Sequence, residues 1–350
     1  MECHVSLTNT SNSNLKRHDI STDISAQRIM MKILIFGTGG IGSVYVYVLH
    51  KAGADVTTVC RSNYDAITEQ GITINSKIFG DVHVKPKAVQ DISNAEGPWE
   101  YIVICSKAMP GSSPSTASLI QPAVGSSTTI VLIQNGIDIE SEYAHAFPKN
   151  TIISGVAYLP VTQVKPGIVS MGNLELLELG TFPHDASNVS KDKVEQFAQS
   201  IRAGGATAKV YNDIQARRWS KLVLNARWNP ICALSRLGDK NFLKLSPEAA
   251  GIVRTVMLEV VSVAEALGYK EVNTETVDNH LNRVKARLEP RGVEPSMLTD
   301  VRSNRPLEVE AILGNTVRIA RKKGINTPML EMLYILAKGL SQSITMSQSV

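Results

Sequence analysis

Residues 32–61 read KILIFGTGGIGSVYVYVLHKAGADVTTVCR, and this stretch decides the fold. Lys32–Phe36 is a short apolar run without polar alternation, the pattern of a strand buried on both faces. Gly37-Thr38-Gly39-Gly40-Ile41-Gly42 follows at once, and Val44–Leu49 continues as an apolar segment at helical spacing. Gly53 is suited to end that helix, and Asp55–Cys60 reads as a second strand. Strand, glycine turn, helix and strand within ~30 residues is the layout of a dinucleotide-binding βαβ unit. In such a unit Gly37 permits the tight turn, Gly39 lets backbone approach a pyrophosphate, and Gly42 lets the helix pack close on the strand. The helix N-terminus then offers N–H donors and a positive dipole end to phosphates. Any α/β protein can carry a glycine-rich loop. The strand before this one and the helix after it favour the nucleotide reading.

The end of the second strand narrows the choice of nucleotide. About 20 residues past the glycines an NAD-binding unit places Asp or Glu on the ribose 2′-hydroxyl. Arg61 stands at that place, with no carboxylate before Asp65. A cation there suits a 2′-phosphate, so NADPH/NADP is expected. The competing reading of Arg61 is a solvated surface arginine, since a strand end faces water anyway.

The rest of the chain fits two folded parts. Its 350 residues carry 43% hydrophobic and 19% charged side chains and a net charge of +4. That composition is ordinary for a water-soluble protein, gives no case for nucleic acid, and suits anionic ligands. Cys3, Cys60, Cys105 and Cys232 lie far apart without metal-ligand spacing, which points to a reducing compartment and to no metal. No apolar run approaches the ~20 residues of a membrane helix. Residues 1–30 are rich in Ser, Thr and Asn, with little to bury, and read as a disordered extension. Lys16, Arg17 and Arg28 leave mitochondrial targeting open, while Glu2, Asp19 and Asp23 count against it, so a cytoplasmic location is expected.

From Met31 to Asn212 strands and helices are expected to mix. Gly71–Ser76 and Val82–Pro86 suggest a hairpin on the sheet edge. Tyr101–Cys105 and Thr128–Gln134 read as buried strands ending in Ser106-Lys107-Ala108 and Gln134-Asn135-Gly136. Lys191–Gly204 is amphipathic. From Asp213 to Ser341 the spacing predicts helices only: Ala216–Leu234, Pro247–Leu267, Thr274–Leu288, Leu307–Lys323 and Pro328–Leu340, the last capped by Thr327. Residues 342–350 read as a loose tail. The fold class is therefore an α/β Rossmann-like N-terminal domain followed by an all-α C-terminal domain.

Two further patterns carry polar groups. Lys221, Asn225 and Asn229 recur every fourth residue and so share one face of a helix that also contains Pro230. They are either a buried polar stripe or a solvated face. Ser296 is placed to cap a helix over the following residues. Arg302, Arg305, Glu308 and Glu310 read, on sequence alone, as a surface charge cluster.

The segments KILIFGTGGIGS, SKA at 106–108, QNG at 134–136, WSKLVLNARWNP at 219–230 and SMLTDVRSNRPLEVEAILGN at 296–315 together resemble the ketopantoate reductases (2-dehydropantoate 2-reductases). The resemblance runs from about Met31 to Leu340. It implies NADPH bound between the two domains and a small 2-keto acid substrate reduced to the 2-hydroxy acid, as in pantothenate biosynthesis. A homodimer is left open, and no nucleic acid or membrane partner is implied. By position, Gly37 to Gly42 match the pyrophosphate loop. Arg61 matches the 2′-phosphate contact, and Lys107, Asn135 and Glu308 match cofactor contacts. Lys221 matches the catalytic lysine, with Glu308 at the reacting end. Asn135, Lys221, Asn225, Asn229 and Ser296 match substrate contacts. Asp239 departs from the family pattern, because an amide is more usual there and a carboxylate would repel an anionic substrate. A same-fold reductase for another 2-keto acid, or an NADPH-binding sensor without turnover, are the alternatives.

Overall fold

The structure, a computed structural model, describes residues 30–286 and 292–348. The extension expected over residues 1–30 thus lies, apart from Met30, outside the described residues. The strands are β1 Lys32–Phe36, β2 Asp55–Val59, β3 Ile72–Ser76, β4 Gly80–Val84, β5 Lys87–Val89, β6 Tyr101–Ile104, β7 Thr129–Ile133, β8 Ile152–Tyr158, β9 Val161–Lys165, β10 Ile168–Met171, β11 Leu176–Phe182 and β12 Ala208–Val210. The helices among them are α1 Gly40–Lys51, α2 Tyr64–Gln70, α3 Thr116–Ile120, α4 Glu140–Ala146 and α5 Asn188–Ala203. Beyond β12 the described residues form helices and no strand: α6 Gln215–Ser235, α7 Asp239–Leu243, α8 Ala249–Ala266, α9 Thr274–Ala286, α10 Ser296–Arg302, α11 Asn315–Lys323 and α12 Pro328–Ser347.

The main sheet has the order β12-β11-β8-β7-β6-β1-β2-β5. All its pairings are parallel except β8 with β11. The unalternating apolar runs follow from burial of both faces. Ile33 and Ile35 join one core, under α1 and α5, while Leu34 and Phe36 join another on the opposite face. α5 buries Val194, Phe197, Ala198 and Ile201, an i, i+3, i+4, i+7 stripe, and Ser187 caps it by accepting from the Ser190 N–H at 3.3 Å. Burying each large apolar side chain of that stripe contributes ~1.5–3 kcal/mol.

The expected hairpin forms, yet it is not on the main sheet. β3 and β4 belong to a separate four-stranded sheet of order β4-β3-β10-β9, which packs over α1. Its β10 comes from nearly 100 residues further along the chain, and local alternation cannot distinguish joining the edge of one sheet from founding another.

The helical part is built around α6, which packs on α8, α10 and α12. Trp219, Leu222, Val223 and Ala226 enter its core beside Val253, Val256, Met257 and Val260. The last helix runs to Ser347, so the tail expected to be loose after Ser341 continues it as far as that residue. Ile344 is buried there, which holds the extra turns down. Thr327 occupies the N-cap position without using its side chain. The cap is remote: Glu259 on α8 accepts the N–H groups of Met329 (3.0 Å) and Leu330 (2.8 Å). The single helix expected over Leu307–Lys323 is interrupted by a π turn at Glu310–Gly314, and α11 follows it directly.

Candidate functional site

Five contiguous parallel strands, β2, β1, β6, β7 and β8, deliver their carboxyl ends to one edge of the sheet, where ligands of open α/β sheets bind. The first strand ends at Gly37, which has φ +99; a Cβ there would lie 2.5 Å from the Ser106 nitrogen. A Cβ on Gly42 would stand 2.1 Å from the Gly37 carbonyl oxygen, so helix and turn pack as the spacing implied. At Gly39 a Cβ would meet nothing within 4 Å. Gly39 is the N-cap of α1, no side chain caps that end, and no acidic residue occupies the first turn. Free N–H groups, a positive dipole end and open approach at Gly39 fit a pyrophosphate, with Thr38, Gly40 and Ile41 completing the turn. Arg61 is exposed at the end of β2, and among the described residues it forms no ion pair. Its head is therefore available to a phosphate.

Asn63, which the sequence did not single out, holds this loop. It is 6% exposed and donates to the Thr38 carbonyl at 2.7 Å, and it exchanges bonds of 2.9 and 3.0 Å with Gln163 of β9. The second sheet thereby braces the glycine turn.

Lys107, expected at the cofactor, reaches across to the helical part. Its Nζ lies 2.8 Å from Asp300 of α10 and donates to the Pro306 carbonyl at 2.9 Å. The neighbouring Ala108 N–H donates to Glu308 at 2.9 Å. Glu308 is only 7% exposed, so the surface reading of its charge cluster fails at this position. The others follow that reading more closely. Arg302 pairs with Glu294 (2.7 Å), Arg305 with Asp300 (3.0 Å), and Glu310 with Arg318 (2.8 Å) and Lys338 (2.9 Å). Burial holds the Glu308 carboxyl above its ordinary value, against the pull of the Ala108 N–H and the Lys107 charge.

Lys221 meets this carboxylate through one residue. Its Nζ donates to Asn135 Oδ1 at 2.9 Å and also to the Ala157 carbonyl at the end of β8. The Asn135 side chain in turn lies near enough to Glu308 to favour its charged form. The Tyr158 ring lies 5.4 Å from Nζ. Burial, and next the nearby Arg218 charge, lower the Lys221 ammonium to about 8, while Glu308 and Glu178 pull it upward. A lysine so tuned holds a proton at neutral pH and releases it readily.

The polar stripe of α6 is buried at Asn229 and half-buried at Lys221 and Asn225, so it is not a solvated face. Asn225 lines the same pocket as Asn135 and Lys221, together with Gln134, Val156 and Leu222. Asn229 is 4% exposed, and its Oδ1 accepts from the Ser296 hydroxyl (3.2 Å) and the Met297 N–H (3.1 Å). Ser296 is therefore not the cap of α10. Pro295 holds that position, and the carboxamide of Asn229 takes the helix N–H. Asp239 is engaged by backbone: its Oδ1 accepts the N–H groups of Val293 (2.9 Å) and Lys240 (2.7 Å).

The two parts of the fold meet closely here. Gly136, φ +103, would place a Cβ 2.5 Å from the Ala311 carbonyl, which accepts the Ile137 N–H at 2.9 Å. Asn315 Nδ2 donates to the Ile137 carbonyl at 2.7 Å. Ala311 lies in the π turn, where wider winding can leave a carbonyl to bond outside the helix.

Known proteins are similar to this chain along most of its length. The family model described as ketopantoate reductase PanE/ApbA matches residues 33–184, and that described as ketopantoate reductase PanE/ApbA C terminal matches residues 213–341. The chain is 27% identical over 304 residues to 2-dehydropantoate 2-reductase of Nostoc sp., covering 87% of this chain and 93% of the relative. It is 30% identical over 339 residues to an uncharacterized protein of Saccharomyces cerevisiae, covering 88% and 92%. The crystal structure of 2-dehydropantoate 2-reductase from Methylococcus capsulatus superposes with a TM-score of 0.78 at 34% identity, over 90% of this chain and 98% of that one. A D-mandelate dehydrogenase with NADH and anilino(oxo)acetate superposes with a TM-score of 0.80 at 23% identity, over 90% and 100%, a likeness of fold.

Proposed function

This chain belongs to the ketopantoate reductase family, and from that membership we propose that it reduces 2-dehydropantoate to pantoate with NADPH. The observation that supports the reading is that Lys221, Asn135 and Glu308, from three distant segments, stand next to one another: Lys221 donates to Asn135, and Asn135 lies beside the buried Glu308. When bound, the dinucleotide supplies the hydride that reaches the carbonyl carbon of the keto acid. The glycine turn at 37–42 holds its pyrophosphate, and Arg61 takes the 2′-phosphate.

Lys221 does the proton work. Its ammonium polarises the keto oxygen and then protonates the developing alkoxide. Asn135 and the Ala157 carbonyl aim it by holding two of its three donors. Glu308 accepts the substrate's hydroxyl, which a buried carboxylate with one N–H partner has spare lone pairs to do. Asn225, Asn229 and Ser296 hold the rest of the acid. Asn229 spends its oxygen on Ser296 and Met297 and keeps its Nδ2 donors for the substrate.

The test is a ratio of kcat/KM values, read from NADPH oxidation. 2-Dehydropantoate should exceed 2-oxoisovalerate, which lacks the hydroxymethyl group, by orders of magnitude, since sites built for a hydroxyl reject its absence by ~10⁴–10⁵-fold in favourable cases. Glu308→Gln should shrink that ratio. Equal use of the two acids would assign this chain another 2-keto acid. Tight NADPH binding without turnover of any acid would make it a sensor.

A further inference from the structure

Arg218 is a buried cation that the chemistry above leaves unused. It is 3% exposed and sits three residues before Lys221 on α6. A buried guanidinium is costly unless its N–H groups find acceptors. Here Nη1 donates to the carbonyls of Gln134 (2.9 Å) and Gly136 (3.0 Å), the peptide oxygens on either side of Asn135. Nη2 donates to the Ser154 hydroxyl (2.7 Å) and the Gly155 carbonyl (3.1 Å) of β8. Nε lies 2.9 Å from Glu140 Oε1, which also accepts from the Ser154 hydroxyl (2.6 Å) and Gln215 (2.9 Å). Burial alone would push the Glu140 carboxyl up, but the Arg218 charge and the Ser154 hydroxyl outweigh it and hold it below its ordinary value.

Apolar side chains would join helix and sheet here at less cost than a buried ion pair. What they would not supply is a planar fork that grips two carbonyls flanking one residue. We propose that Arg218, neutralised by Glu140, is a positioning residue of this site: it fixes the backbone around Asn135, and through it the carboxamide that receives Lys221. Its charge also acts on Lys221 directly. Lys221 is faced by Arg218 on its own helix, Glu308 after α10, Glu178 on β11, the Tyr158 ring and Ala157 carbonyl of β8, and the neutral Asn135. Arg218 is the cation among these, so it favours the neutral amine and eases proton release. The inference rests on the reading of Lys221 as proton donor.

Arg218→Lys in the full chain keeps a cation beside Glu140 but cannot span both carbonyls. Measured per folded molecule, kcat should fall ~10- to 100-fold, the cost of displacing a catalytic group by about 1 Å, with KM for the keto acid near the parent's. Lys221→Ala is measured beside it. If Lys221→Ala still turns over, the reading of the site fails. If Lys221→Ala is inactive and Arg218→Lys has the parental kcat, this inference alone fails. Should Arg218→Lys not fold, Arg218→Met combined with Glu140→Gln decides, because that pair leaves no buried carboxylate uncompensated. An NMR titration of the Lys221 side chain in the double variant needs no turnover. A midpoint above that of the parent titrated in parallel supports the proposal, and an unmoved midpoint overturns it.

Discussion

Raising the pH should switch off reduction along a limb set by Lys221. Burial and the Arg218 charge bring its ammonium down to about 8. The proposed donor works in its protonated form, so its active fraction is about 90% at pH 7 and about 10% at pH 9. The value of kcat/KM for the keto acid should therefore fall roughly tenfold across that interval, and about tenfold per further unit. A lysine at the ordinary value of ~10.4 would stay almost fully charged at pH 9. Glu178→Gln sharpens the test without touching the proposed donor's hydrogen bonds. Glu178 is 1% exposed, held by Arg217 at 2.9 Å and by the Tyr211 hydroxyl at 3.0 Å, and its charge favours the Lys221 ammonium. Removing that charge should move the break to lower pH. The assay is the loss of NADPH absorbance with saturating cofactor, over a pH series from about 6 to about 10. A level profile up to pH ~10 in the parent, or a Glu178→Gln break at the parental pH or above it, would refute the assignment.

Other consequences are simpler to measure. Arg61→Ala should weaken NADPH binding roughly ten- to a hundredfold, a charge-assisted contact being ~1.5–3 kcal/mol, and leave NADH nearly unchanged; fluorescence titration of both cofactors decides it. Gly42→Ala drives a Cβ to 2.1 Å from the Gly37 carbonyl, so the glycine turn must shift, and NADPH affinity should be lost before the fold is. An alanine variant with parental affinity would show that the turn is not the binding loop. Glu259→Ala strips α12 of its remote cap and should lower stability by ~1 kcal/mol in a denaturant titration, with turnover per folded molecule preserved.

Much of the architecture was legible because it rests on short-range spacing. The βαβ unit follows from unbroken apolar runs around a glycine turn, and the change to helices near Asp213 and the stripe of Lys221, Asn225 and Asn229 follow from a period of about four residues. Where expectation failed, a distant partner had taken over. Ser296 is a good cap by type, yet Asn229, 67 residues away, supplies the bond to its helix. Thr327 is also a good cap by type, yet Glu259 supplies it. Glu308 sits among exposed charges in the sequence, and only the fold shows that it is buried against Ala108, 200 residues distant.

By itself, then, the chain's sequence determined the glycine turn, the identity of the polar side chains and the faces they occupy, since local sterics and hydrophobic period act within one element. The tertiary structure alone decided that Asn135 stands between Lys221 and Glu308, that Arg218 and Glu140 are one buried pair, and that Asp239 turns to the backbone of Val293. Those facts depend on which buried polar group finds which partner. Desolvation makes an unpartnered group costly wherever it lies, so the pairing is set by the packing of whole elements and leaves no periodic trace along the chain.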